Sequence, residues 1–103
     1  MNYYKGGKVW TGSPLHYASW KGHLSTIELL LSAGADIEST DALLYTPLHH
    51  ATAEGHYEAI RILLEHGASQ AAVDKEGMTP LDWAFEKRKP DIIQYKIENV
   101  HIF

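Results

Sequence analysis

Histidine is the residue type in this sequence that is best suited to acid–base or metal chemistry, and the chain has seven histidines. Adjacent side chains on a helix diverge by about 100°, so His49 and His50 are poorly placed to bind one ion together. Cysteine is absent, which excludes thiolate zinc sites, a cysteine nucleophile and a disulfide framework. The histidines therefore predict a structural role rather than a metal site.

The sequence also lacks the motifs that hydrolases and nucleotide-binding enzymes use. It contains no Gly-x-Ser-x-Gly motif, no phosphate-binding loop and no paired-glycine fingerprint. Gly6-Gly7-Lys8 is too short to surround a phosphate group, and no strand is predicted before it. We therefore predict that the chain is not an enzyme and that it has no catalytic residues, no cofactor and no metal ion.

The composition is that of an ordinary folded domain, with 45% hydrophobic and 21% charged residues in a chain of 103. The net charge of −4 counts against nucleic-acid binding, which usually needs a basic surface. No apolar run is long enough to span a membrane, and no signal peptide is recognisable. We expect a cytoplasmic or nuclear protein, in which Lys87-Arg88-Lys89 is a solvated helix end, a nuclear address or a phosphate contact.

An internal repeat organises most of the chain. The segment Ser13-Pro14-Leu15-His16-Tyr17-Ala18 returns 33 residues later as Thr46-Pro47-Leu48-His49-His50-Ala51, and 33 residues after that as Thr79-Pro80-Leu81-Asp82-Trp83-Ala84. Glycine and leucine landmarks keep the same spacing: Gly22 and Gly55, Leu30-Leu31 and Leu63-Leu64, Gly34-Ala35 and Gly67-Ala68. Copies in register without a gap predict three equivalent structural units.

Each unit is predicted to consist of two helices and a turn. Ser13 can cap a helix whose first position is Pro14, where the missing N–H of proline costs no hydrogen bond. This helix is predicted to end at about Lys21, because Gly22 follows. A second helix follows with apolar residues at helical spacing: Leu24, Ile27, Leu30 and Leu31. One helix pair cannot bury its apolar face alone, so neighbouring repeats must stack.

The chain resembles the ankyrin repeat family over about residues 8–100. The resemblance rests on Thr46-Pro47-Leu48-His49, on Gly55-His56 and on the Leu63-Leu64 to Gly67-Ala68 ending, with their counterparts in the other repeats. It implies an all-α solenoid of three helix-turn-helix units with extended, β-hairpin-like turns. It also implies that His16 and His49 bond the preceding hydroxyl and the backbone of the neighbouring turn, and we expect similar connections from His23 and His56, which follow the helix-ending glycines. The implied domains are an N-terminal segment or cap (1–12), repeat 1 (13–45), repeat 2 (46–78) and a C-terminal capping repeat with tail (79–103).

The sequence departs from the family pattern in three places. Leu44 stands where the turn usually has glycine, which predicts a strained or altered turn, or a leucine recruited for contact. The second helix of the third repeat, predicted from Pro90 to about Asn99, is polar enough to be a terminal cap. At the opposite end, we expect three aromatic side chains to fold back as an N-terminal cap: Tyr3, Tyr4 and Trp10.

The resemblance places partner binding on a concave face that the turn tips and the exposed sides of the first helices form. Equivalent positions of successive repeats form rows across this face, about 10 Å apart as for packed helices. Bulky apolar residues occupy many of these positions, and exposed Trp and Tyr are typical of protein interfaces. The large and small pair Trp20 and Ala53 predicts a hollow for a side chain of the partner. The predicted partner-binding residues are Trp10, Trp20, Lys21, Leu43, Tyr45, Ala53, Glu54, His66, Val73, Met78 and Glu86.

We therefore expect a non-catalytic module that binds a partner protein, as an adaptor, an inhibitor or a targeting subunit. One alternative is that Trp10 and Trp20 only seal the open end of the stack. Another is self-association of this Trp-rich end into weak homo-oligomers. Nucleic-acid binding and a role as the accessory domain of an enzyme are remote alternatives, and no membrane partner is expected.

Overall fold

The computed structural model describes residues 12–86 in full and the backbone of two short segments, 3–5 and 8–10. In chain order the elements are strands β1 (Tyr3–Lys5) and β2 (Lys8–Trp10) and helices α1 (Pro14–Lys21), α2 (Leu24–Ser32), α3 (Pro47–Glu54), α4 (Tyr57–Glu65) and α5 (Pro80–Glu86). Helix α3 packs between α1 and α5, and α4 packs against α2. This arrangement confirms the predicted stack of helix pairs.

The core lies between the first and second helices of the stack. Five branched aliphatic side chains are at most 1% exposed: Leu15, Ile27, Leu48, Ile60 and Leu63. Alanines at equivalent positions of α1, α3 and α5 are just as deeply buried: Ala18, Ala51 and Ala84. Because these side chains are small, the three first helices can lie close together along the stack.

The first helices begin and end as the sequence predicts. The Ser13 hydroxyl accepts a hydrogen bond from the backbone N–H of His16, and the His16 side chain accepts one from the backbone N–H of Ser13. Thr46 and His49 repeat this reciprocal cap at α3. Gly22 and Gly55 close the two helices in the left-handed conformation, with φ of 72° and 76°. The hydroxyl, the histidine and the glycine of the repeat thus fix helix length.

The N-terminal segment contains a hairpin that the repeat pattern does not predict. Strands β1 and β2 pair antiparallel, with Tyr3 opposite Trp10 and Lys5 opposite Lys8. Aromatic and β-branched residues favour this conformation. The expectation that no strand precedes Gly6-Gly7-Lys8 is therefore wrong, although a short antiparallel hairpin is not the strand-to-helix turn of a phosphate loop. The side chains expected to form the N-terminal cap, and the predicted helix from Pro90 to about Asn99, lie outside the described residues.

The turns between repeats are closed by one aspartate each. The Asp41 carboxylate accepts hydrogen bonds from the backbone N–H groups of Leu43 and Tyr45, at 3.0 and 2.9 Å. Asp74, 33 residues later, accepts equivalent bonds from Glu76 and Met78. A backbone bond from Lys75 N to Leu43 O, 3.1 Å long, ties the two turns together. The turn tips are therefore held in register with each other.

Leu44 confirms the predicted strain in the first of these turns. Its φ is +64°, in the left-handed region, and its side chain is 44% exposed. Gly77 occupies the equivalent place in the next turn, with φ of +78°. A left-handed conformation costs a residue with a Cβ atom about 1–2 kcal/mol, a cost that glycine avoids.

We expect Leu44→Gly to raise the free energy of unfolding by about 0.5–1 kcal/mol. Relief of the left-handed strain exceeds the entropy that glycine adds to the unfolded chain, and little buried surface is lost. Urea denaturation measures the change. Leu43→Gly is the matched control: Leu43 has a similar exposure, 51%, but no positive φ, so this variant should lose stability. A gain of equal size in both variants would contradict the explanation.

Candidate functional site

Two buried histidines join each repeat to the next. The Nδ1 atom of His16 accepts from the backbone N–H of Ser13, so the neutral ring carries its proton on Nε2. This Nε2–H donates to the carbonyl oxygen of Tyr45 in the following turn, at 2.8 Å. His49 makes the same bonds to Thr46 and to the carbonyl oxygen of Met78, the latter at 2.9 Å. The structural role predicted for these two residues is confirmed.

These bonds should make stability depend on pH. Burial lowers the pKa values of His16 and His49 below the ordinary 6.5, and it outweighs the opposing effect of their bonds to backbone carbonyls. Between the lowered pKa values and 6.5 the unfolded chain binds more protons than the folded chain. We therefore expect the free energy of unfolding to fall as pH decreases from 7 towards 5.

Urea denaturation at several pH values tests this expectation. His16→Asn serves as the comparison, because it removes one buried imidazole at the end of the stack and should give a shallower pH dependence. Equal slopes for this variant and the wild type, or a stability that rises on acidification, would contradict the assignment of a neutral buried ring.

A third histidine ties the first helices together from their C-terminal ends. His56 Nε2 lies 2.9 Å from the carbonyl oxygen of Trp20, whose backbone is thereby anchored to the second repeat. The predicted connection is confirmed for His56. His23, its counterpart in repeat 1, instead places its ring edge-on to Tyr17, with centroids 6.3 Å apart.

Two further rings are held by the aspartates of the turns. His50 Nε2 lies 3.0 Å from Asp41 Oδ2, and Trp83 Nε1 donates to Asp74 Oδ2 at 2.8 Å. His50 and Trp83 are equivalent residues of α3 and α5, as are the two aspartates of the turns before them. Each carboxylate therefore closes its turn with one oxygen and fixes a ring of the next first helix with the other.

The carboxylates remain charged in this environment. For Asp41, burial acts to raise the pKa, but the bonds from His50 and from the backbone N–H groups outweigh it and lower the pKa below the ordinary 3.8. For Asp74 the bond from the Trp83 indole and the backbone bonds prevail over burial in the same way. Both aspartates are thus ionised at neutral pH.

These side chains surround a hollow that we call the aromatic groove. It has a volume of about 190 Å³ and is lined by Trp20, Tyr45, His49, His50, Ala53, Glu54 and Trp83. The Tyr45 ring is nearly perpendicular to the His50 ring, with centroids 5.3 Å apart, and to the Trp83 ring, with centroids 6.0 Å apart. The groove is therefore walled by aromatic rings and carries one carboxylate, that of Glu54.

The structure brings together four of the residues predicted from the sequence to bind a partner. Trp20, Tyr45, Ala53 and Glu54 all line the aromatic groove, and the small Ala53 leaves the space beside Trp20 open. Lys21 lies next to them, with its Nζ atom 4.6 Å from the centroid of the Trp20 ring. These five residues come from two successive first helices and the turn between them.

Five of the other six predicted residues lie elsewhere. Leu43 lines a neighbouring depression between the turn tips, with Tyr45, Asp74, Lys75 and Glu76. Met78 contributes its carbonyl oxygen to the bond from His49. Three others do not line the groove: Val73 is half exposed in the second turn, His66 bonds the carbonyl oxygen of Ile62 at the end of α4, and Glu86 is exposed at the end of α5. The Trp10 side chain lies outside the described residues, so its role in binding stays a prediction.

Three groove residues were missing from the sequence-based prediction: His49, His50 and Trp83. His49 was assigned only a structural role, which it also has. His50 and Trp83 occupy the same position of the repeat, and a turn aspartate precedes each by nine residues. That shared spacing is a signal in the sequence that could have identified them as equivalent residues of one surface.

The described residues form neither a metal-binding cluster nor a membrane-spanning helix. Within them, no three His, Asp or Glu side chains are grouped so that they could hold a metal ion. Of their helices, none has the length and hydrophobicity needed to cross a bilayer. The imidazoles of His16, His49 and His56 are directed at backbone carbonyl groups.

Comparison with known protein families agrees with the repeat and with this geometry. The family description "Ankyrin repeats (3 copies)" matches residues 15–101, which is most of the chain. Comparison with curated proteins finds no match. Ankyrin repeats typically serve as protein–protein interaction modules. With its three copies, its reciprocal Ser/His and Thr/His caps and its stacked helix pairs, the chain belongs to the ankyrin repeat family.

Proposed function

We propose that this chain is a non-catalytic recognition module that binds a partner protein in the aromatic groove, as an adaptor, an inhibitor or a targeting subunit. The observation that carries the proposal is the row of rings across successive first helices, with Trp20 beside the small Ala53. Trp20 and Tyr45 are partly exposed in this groove, and tryptophan and tyrosine are residues that dominate the binding energy of protein interfaces.

The rigidity of the groove supports the same proposal. Asp41 and Asp74 hold the rings of His50 and Trp83, and the backbone of Tyr45 is bonded on both sides. A preorganised surface loses little conformational entropy when it binds. We further propose a cytoplasmic or nuclear location, which fluorescence microscopy of the tagged chain in cells tests.

We expect Trp20→Ala to weaken partner capture about tenfold or more, because it removes one wall of the groove. Proteins captured from a native lysate by the wild type and by the variant are quantified side by side. Tyr57→Ala is the matched control, since Tyr57 is a 39% exposed aromatic residue on α4, a second helix that does not line the groove. This control should retain full capture.

Thermal unfolding separates binding from structure in this experiment. Trp20→Ala should unfold close to the wild-type temperature. A loss of several kcal/mol in stability would instead mean that Trp20 only seals the stack, since that is the cost of truncating a buried aromatic side chain. Gel filtration over a concentration series tests the self-association alternative: a concentration-dependent increase in size, abolished by Trp20→Ala, would replace the proposal.

A further inference from the structure

We infer that the aromatic groove receives an arginine side chain of the partner protein. This inference rests on the proposed function, and it adds the chemistry of the residue that is bound. The groove combines perpendicular aromatic walls, one carboxylate at its edge and a negative surrounding field. A planar cation that can stack on a ring and also donate two hydrogen bonds to a carboxylate fits that combination.

The aromatic walls provide surfaces for a cation. Rings carry negative charge on their faces, and a guanidinium group within about 6 Å of a ring centroid is attracted to it. Tyr45 and Trp83 stand at 80° to each other with centroids 6.0 Å apart, and Tyr45 and His50 stand at 78°. A planar group inserted into such a corner stacks on one ring while its edge meets the other.

One cation of the chain already lies against this surface. The Nζ atom of Lys21 lies over the Trp20 ring, 4.6 Å from its centroid, and 6.0 Å from the centroid of Tyr17. Lys21 is exposed and does not line the groove. It therefore covers part of the Trp20 ring without being one of the residues that line the hollow beside Ala53.

The charges around the groove favour a basic ligand. Glu54 lines the groove itself, and its carboxylate is exposed at the rim. Asp41 holds the backbone of Tyr45, and Asp74 and Glu76 line the depression that Tyr45 shares. Burial raises the pKa of Tyr45, and the negative charges of Asp74, Glu76 and Asp41 raise it further. Among the described residues, two lysines lie beside this surface: Lys75, in the adjacent depression, and Lys21, over the Trp20 ring. An acidic or phosphorylated side chain would be repelled here.

Arginine fits better than lysine for two reasons. The guanidinium group is planar and weakly hydrated, so it stacks on aromatic faces at a lower desolvation cost than an ammonium group. It also presents parallel N–H groups that bond both oxygens of one carboxylate, here that of Glu54. Lysine offers a single compact charge that keeps its hydration.

Binding of three tripeptides to the full chain tests the inference: Ac-Gly-Arg-Gly-NH2, the same peptide with citrulline, which is neutral but nearly isosteric, and the same peptide with lysine. Chemical shifts of the Trp20 and Trp83 indole N–H groups in two-dimensional NMR report binding. We expect the arginine peptide to shift both signals and to bind at least fivefold more tightly than either of the other two.

Variants define the site. Glu54→Gln keeps the shape of the side chain and should weaken the arginine peptide about fivefold without changing citrulline binding. Lys21→Gln removes the competing cation and should strengthen arginine binding a few-fold. Glu58→Gln, on the exposed side of α4, is the control and should change nothing.

Equal binding of the arginine and citrulline peptides would overturn the inference, and so would lysine binding as tight as that of arginine or retention of full affinity in Glu54→Gln. None of these results would affect the proposed function, whose own test is the loss of partner capture in Trp20→Ala. Conversely, a groove that binds the arginine peptide as expected while Trp20→Ala captures every partner fully would locate the partner surface elsewhere and would leave the arginine site as a separate feature.

Discussion

Replacing Leu63 by alanine should lower the free energy of unfolding by about 3–5 kcal/mol, which is a large part of the stability of a domain of this size. The Leu63 side chain is 0% exposed and lies in the core of the middle repeat. Its removal leaves a cavity that Ile60 and Leu48, themselves at most 1% exposed, cannot fill without moving whole helices. Urea or thermal denaturation measures the loss.

Leu29→Ala is the matched control for this experiment. Leu29 is also a leucine inside a second helix, but it is 70% exposed. The two variants change helix propensity by the same amount, so only burial separates them. We expect a change within about 0.5 kcal/mol for Leu29→Ala. Similar losses in both variants would mean that the apolar stripe of the second helices does not face the core as described.

Gly22→Ala should be nearly as damaging, about 3 kcal/mol or more, although it adds only one methyl group. Gly22 has a φ of +72°, and a Cβ atom there would lie 2.8 Å from the His56 ring. The variant therefore combines left-handed strain of about 1–2 kcal/mol with overpacking of about 1–3 kcal/mol. The displaced ring would also lose its bond to the carbonyl oxygen of Trp20.

Gly77→Ala separates these two contributions. Gly77 has nearly the same φ, +78°, but its added Cβ atom would meet nothing within 4 Å. This variant should lose only the 1–2 kcal/mol of backbone strain. A double-mutant cycle then isolates the clash, because in a His56→Ala background the cost of Gly22→Ala should fall to that of Gly77→Ala. An unchanged cost in that background would show that the His56 ring is not what the methyl group meets.

Residue type and spacing were sufficient to predict the described helices to within a residue or two. Helix boundaries depend on local chemistry: Ser13 and Thr46 cap, proline starts the helix, and Gly22 and Gly55 end it. Such signals act over three or four residues, so they can be identified without a tertiary structure. The strain at Leu44 was predictable for the same reason, since a missing glycine in a repeating turn is a local departure.

The hairpin of β1 and β2 shows where this local reasoning ends. Its segment lies before the first copy of the motif, so the repeat gives no information about it. Two strands of three residues carry a weak signal in sequence, because three residues define no period. Pairing between them is a contact between segments, not a property of either segment.

The residues predicted to bind a partner show more clearly what local patterns can predict and what they cannot. Trp20, Tyr45, Ala53 and Glu54 were selected because equivalent repeat positions form rows, and they do line one groove. Glu86 and Val73 belong to comparable rows but do not line it. A row predicts which face a residue occupies, whereas convergence on one hollow depends on how far each side chain reaches across the stack.

By itself, the amino-acid sequence determined the 33-residue period, the helices and the absence of cysteine chemistry, because these follow from residue type and short-range spacing. The tertiary structure alone decided that Asp41 and Asp74 orient the rings of His50 and Trp83, and that these rings meet Trp20 in a single groove. The reason is physical: repeat stacking brings together atoms from residues that are far apart in the chain, and hydrogen bonds and cavities depend on those distances.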